Sequence, residues 1–136
     1  MTENTFDLIV YFKIETNKSK EIITNILNLS PTPFSFKGGT NVIGEIKDNI
    51  WIVREKFENC KEVGTGIKQF FEKRPTIVKK IKELKRYGQC SVILSVVSLY
   101  AQIGFVLSDK DLNLFNELGV NVEVSVFSWG GCVDEE

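Results

Sequence analysis

Histidine is absent from all 136 residues. Imidazole is the usual general base near neutral pH and the commonest metal ligand. Its absence excludes Ser–His and Cys–His nucleophile activation and every zinc site that needs a histidine. Cysteine is nearly as scarce. Cys60, Cys90 and Cys132 are odd in number and none stands in a CxxC pair, so a disulfide framework is not expected and a reducing cytoplasm is. No metal centre or cofactor is expected either. Long apolar runs are missing too: the best stretch, Val92 to Leu107, is interrupted by Ser95, Ser98, Gln102 and Gly104, short of the roughly 18 residues a membrane span requires. The opening Met1-Thr2-Glu3-Asn4 has neither the basic nor the apolar region of a signal peptide. The net charge of −1 gives no overall pull toward nucleic acid or an anionic membrane.

What is present is ordinary globular material. Hydrophobic residues make up 43% and charged residues 26%, which argues against disorder and against a coiled coil. Ten Phe against one Met point to a core of rigid rings. The length suits one domain, residues 1–136, with a core over 5–128 and a tail over 129–136.

Hydrophobic period places the elements. Phe6, Leu8, Val10, Phe12 and Ile14 alternate as a strand. Ser19 to Asn28 reads as a helix, capped by Asn17 or Ser19 and stopped by Pro31 and Pro33. Phe34 to Lys37 reads as a short strand, with a weaker one near Val42 to Ile46, and Ile50 to Glu55 as a clear one. Gly64 to Tyr87 is helical, broken at Pro75, which suits the first position of a second helix; Gly88 ends it in a left-handed cap. Cys90 to Val97 and Gln102 to Leu107 follow as strands. Ser108, with Asp111 three residues on, opens a last helix whose buried stripe is Leu112, Phe115 and Leu118, closed by Gly119. Val120 to Phe127 alternates as the final strand. The expected class is α+β, in the order β-α-β-β-α-β-β-α-β with ferredoxin-like elements. Its sheet would be mainly antiparallel, with helices packed on one face.

Leu27-Asn28-Leu29-Ser30-Pro31-Thr32, then Lys37-Gly38 preceded by Phe36, then a strand opening at Trp51, stand in a specific order. A long helix, a Cys90 strand, and Leu107-Ser108, Leu112 and Leu118-Gly119 before an alternating strand complete it. From about Phe6 to Phe127 this resembles the bacterial domain-of-unknown-function family numbered 4279, whose members often carry an acid where Gly39 stands here. The resemblance implies a small cytoplasmic bacterial protein without assigned catalytic residues, of a kind often suspected of serving as an immunity or accessory protein beside a toxin.

Three constellations are candidates for function. Between Lys68 and Arg86 lie six Lys, two Arg and two Glu, a net of +6 that leaves about −7 on the rest of the chain. Lys79, Lys80, Lys82 and Arg86 on that stretch could hold an acidic protein surface. Nucleic acid is disfavoured because no exposed aromatics are interleaved for stacking. Trp129, beside Gly130-Gly131, is a candidate partner anchor. Thr32, Lys37, Gly38 and Trp51 could line a ligand pocket over residues 31–51, although a phosphate loop would set its glycines before the lysine. The expected function is a non-catalytic intracellular binding protein of the immunity or antitoxin kind. The alternatives are a small-ligand-binding or carboxylate- and Lys-based enzyme domain, and a homo-oligomer formed through an edge strand.

Overall fold

The computed structural model describes residues 5–32, 49–99 and 104–128. Four strands, β1 (Phe6–Thr16), β2 (Asn49–Cys60), β3 (Gly88–Ser98) and β4 (Asn121–Ser128), form one sheet in the order β2-β1-β3-β4. Helix α1 (Lys20–Leu27) joins β1 to β2. Three helices, α2 (Val63–Glu72), α3 (Pro75–Lys79) and α4 (Ile81–Leu84), join β2 to β3, and α5 (Asp109–Leu118) joins β3 to β4.

β1 is the spine. It pairs antiparallel with β2 on one side and with β3 on the other. Its alternation decides which face is covered: Phe6, Leu8, Val10, Phe12, Ile14 and Thr16 are buried under the helices, while Asp7, Ile9, Tyr11, Lys13 and Glu15 look out half-exposed. Val92, Leu94 and Val96 continue the buried row on β3, and Trp51 and Val53 on β2. Each such aliphatic or aromatic side chain withdrawn from water stabilises the fold by about 1.5–3 kcal/mol. The α2 backbone approaches closely at Gly66, where a β-carbon would lie 2.7 Å from Leu8 Cδ2.

Several local features follow the sequence. Ser19 caps α1 by accepting from Glu21 N–H, and Pro75 sits in the first turn of α3. Ser108 and Asp111 form a reciprocal capping box, and Gly119 closes α5 at φ 66°, a left-handed value that favours glycine. At the far end of β1, Asn59 (φ 54°) sits where the β1–β2 register shifts between Phe6 and Leu8. Its N–H donates to Asp7 Oδ1 at 3.1 Å, which holds the bulge in place.

Other expectations are corrected. The sheet is mixed, because β3 and β4 run parallel. Helix α5 makes the crossover that a parallel neighbour requires. Of the strand expected over Gln102 to Leu107, residues 104–107 carry no ladder. Both edges of β3 are already taken, by β1 and β4, so Phe105 and Leu107 pack against the core without strand partners. The helical stretch is three short helices, broken at Arg74 and Lys80. Gly88 is not a left-handed cap: it opens β3 opposite Thr16, pressed against the Glu15 carbonyl of β1. On α5, Leu112 is 53% exposed, and Asp111 takes the inward position beside Phe115 and Leu118. The short strands expected over 34–37 and 42–46, and the tail over 129–136, lie outside the described residues.

Candidate functional site

Helix α2 turns one stripe inward, Val63, Ile67, Phe70 and Phe71. Pro75 opens α3, where its missing N–H would have no helical partner, and α2 ends just before it. The N-terminal turn of α5 comes up on the other side. It approaches α2 closely, since a β-carbon on Gly64 would stand 3.1 Å from Asp111 Oδ1. Between them runs an open groove of about 630 Å³, within the range of ligand clefts. Ile67, Phe71, Val78 and Leu114 line it with apolar surface. Lys68, Lys79 and Lys110 stand along it, together with Glu62 and Glu72, and all five are exposed. None of the three lysines is within ion-pair distance of a described carboxylate.

Asp111 forms part of the wall at 9% exposure. Its Oδ2 accepts from Ser108 N–H at 3.0 Å while its own N–H donates to Ser108 Oγ at 3.2 Å. It is occupied in shaping the groove.

The basic stretch is less uniform than its count suggests. Glu55 on β2 takes two of its cations: Lys73 Nζ on Oε2, and Arg74 Nη1 on Oε1 at 2.9 Å. Arg74 also lies over the Phe70 ring at 4.4 Å. Burial raises the Glu55 carboxyl pKa, but hydrogen bonds and charge from Lys73 and Arg74 outweigh it and hold the group below its ordinary value. Lys80 is 3.9 Å from Glu83. Of the residues expected to hold a partner, Lys79 lines the groove, whereas Lys80, Lys82 and Arg86 are exposed outside its lining. Lys110, in another element, joins Lys79 there. Nothing in the sequence signals that juxtaposition, because it depends on how α5 docks against α2.

The other expected site is dispersed. Trp51 is wholly buried and donates its Nε1–H to Thr24 Oγ1 at 3.1 Å, fastening α1 to β2. Its burial leaves it no surface to offer a ligand. Thr32 serves the sheet. Its N–H donates to the Ile52 carbonyl at 2.8 Å and its Oγ1 accepts from Arg54 N–H at 3.0 Å, along the outer edge of β2. Lys37, Gly38 and Trp129 lie outside the described residues.

Both described thiols sit where the thiolate is disfavoured. Burial pushes Cys90 up to about 11 against the pull of Lys85. Cys60 is raised by burial and by the Asp7 charge, which together exceed the hydrogen bond from Leu8. Among the described residues, no three His, Cys, Asp or Glu side chains gather as a metal site, and no helix is long and apolar enough to cross a membrane. On the face of the sheet away from the helices, Tyr11, Ile50, Ile52, Ile93 and Phe127 line a smaller depression of about 320 Å³ beside Lys13, which pairs with Glu15 at 3.1 Å.

One family model, described as domain of unknown function (DUF4279), matches residues 4–129. No curated protein and no solved structure matches the chain.

Proposed function

This chain belongs to the DUF4279 family, and from there we propose that it is a non-catalytic binding protein that holds an acidic protein partner in the α2–α3–α5 groove. The observation that carries the reading is the groove itself: a floor of Ile67, Phe71, Val78 and Leu114, flanked by Glu62, Glu72 and three lysines that pair with no described carboxylate. Apolar anchors in a groove supply affinity when a partner's side chains displace water from them. Lysines on the rim steer an acidic surface in and fix its register more than they add affinity. The titratable groups with shifted pKa values support a binding role over a chemical one. Glu55 is committed to Lys73 and Arg74, and the two thiols are pushed away from the thiolate.

The immunity or antitoxin role belongs to this proposal, supported by the lack of histidine. So does the cytoplasm, supported by the free thiols of Cys60 and Cys90.

The test is a photo-crosslinking amino acid placed at Val78, in cells of the native host. A discrete protein adduct is expected there, and its loss when Lys68, Lys79 and Lys110 are all changed to Glu. An adduct indifferent to the charge reversal, or none at all, removes the reading. The immunity role has its own check: depleting the chain should arrest growth only while the crosslinked partner's gene is intact.

A further inference from the structure

The two edges of the sheet are not alike. The outer edge of β2 is occupied by Thr32, hydrogen-bonded to Ile52 and Arg54. Among the described residues, no strand pairs with the outer edge of β4 from Asn121 to Phe127. An open edge strand is a template for another strand, and monomeric proteins blunt it with Lys, Pro or an inward charge. From Asn121 to Phe127 this edge has no Lys, Arg or Pro and a single acid, Glu123. It also shows apolar surface on both sides. Val124 and Val126 are 41% and 48% exposed on the helix-covered face, and Phe127 is 51% exposed on the open one.

We propose that β4 pairs antiparallel with β4 of a second copy, about a two-fold axis at Ser125, to give one continuous eight-stranded sheet. The register follows from the strand's own pattern. Centred on Ser125, Val124 of each copy faces Val126 of the other twice over, on the helix side of both. Glu123 faces Phe127, so the two acids stay apart; a two-fold at Glu123 would set like charges opposite each other, which destabilises a pair. Leu112 strengthens the seam. On a helix it lies roughly 160° around from Leu114, and Leu114 lines the groove toward α2. Leu112 therefore stands on the flank away from α2, the side on which β4 forms the edge.

A second copy is the occupant favoured by two further facts. The chain's net charge of −1 gives two copies almost nothing to repel with. Thr32 interrupts the opposite edge at Ile52 and Arg54, and a two-fold pairing of β4 with itself is isologous, so it closes at two copies instead of running on as a fibre. The inference stands apart from the groove, which lies on the other flank of α5.

The experiment is the solution mass of the full chain by light scattering across a dilution series. The dimer gives twice 15.5 kDa at high concentration. Val124→Lys with Val126→Lys places four lysines across the seam and should halve that mass, whereas Val78→Lys, in the groove, should not. A second variant fixes the register. In a Cys132→Ser background, Ser125→Cys sets two thiols directly opposite, with β-carbons about 5 Å apart. Mild oxidation should then yield a covalent dimer, and Glu123→Cys should not. A wild-type chain that stays monomeric at every concentration overturns the proposal. So does a dimer indifferent to the lysine pair, or one that Ser125→Cys fails to lock.

Discussion

Replacing Gly88 with Ala tests how tightly β3 is seated on β1. A β-carbon there would meet three backbone atoms of β1: the Glu15 carbonyl oxygen, its carbon at 2.9 Å and Thr16 Cα at 3.0 Å. None of these atoms belongs to a flexible side chain. The corner is also tied by Thr16 Oγ1, which donates to the Tyr87 carbonyl at 2.6 Å. Relief must come from prising the β1–β3 ladder apart at Thr16–Gly88 and Glu15–Gln89. Overpacking of this kind costs about 1–3 kcal/mol, and one lost ladder hydrogen bond about 1 kcal/mol more. The stiffer unfolded chain of the alanine variant returns about 0.4–1 kcal/mol. The net loss is about 2–3 kcal/mol, or roughly 10 °C in Tm for a domain of this length. Urea unfolding followed by the fluorescence of buried Trp51 measures it. Gly104→Ala, with nothing within 4 Å of the new carbon, is the control and should be nearly neutral. A Gly88→Ala variant within about 0.5 kcal/mol of wild type, or one no worse than the control, would show that the close approach is not a constraint.

Three further outcomes are expected. Glu55→Gln should cost about 1–2 kcal/mol, between the values of exposed and buried pairs, because it strands Lys73 and Arg74. Since Glu55 titrates below its ordinary 4.5, its contribution is complete above that pH and fades as pH falls through the lowered value; wild type and Glu55→Gln should therefore converge in stability in acid, by chemical denaturation at stepped pH. Asp111→Ala should lose about 1–2 kcal/mol by removing half of the capping box, read as a lower urea midpoint, and Ser108→Ala should mimic most of it. Cys90, buried and raised to about 11, should resist thiol reagents near neutral pH until the chain unfolds; labelling at the rate of a free thiol would contradict its placement.

The parts legible in advance were those set by short-range pattern. Alternation on β1 named the buried row residue by residue, Ser108 and Asp111 announced their capping box, and Pro75 its helix start. The order of residues from Pro31 to Trp51 pointed to the right family. What escaped were consequences of tertiary placement. Gly88 carries the same letter whether it caps a helix or admits a neighbouring strand; only β1 lying beside it decides. Asp111 faces inward and Leu112 outward because α5 must present its N-terminal turn to Gly64, a constraint invisible in the periodicity of α5 itself. The parallel β3–β4 pair is hidden because residues 104–107, with Phe105 and Leu107 at alternate positions, imitate a strand although both sides of β3 are taken by β1 and β4. The groove was half visible: Lys79 belonged to a conspicuous basic run, but Lys110 reaches it from a distant segment.

The position of β1 in the sheet has a consequence for how the chain is made. The strand that pairs with both β2 and β3 is made before either of them, and its longer-range partner, β3, ends only at Ser98. Until then Phe6, Leu8, Val10, Phe12 and Ile14 have no complete surface to settle against. Such sequence-distant pairing folds slowly and leaves sticky segments exposed in the meantime. The N-terminal strand is thus the segment most dependent on protection during translation, and truncations before Ser98 should accumulate as aggregates while the full-length chain does not.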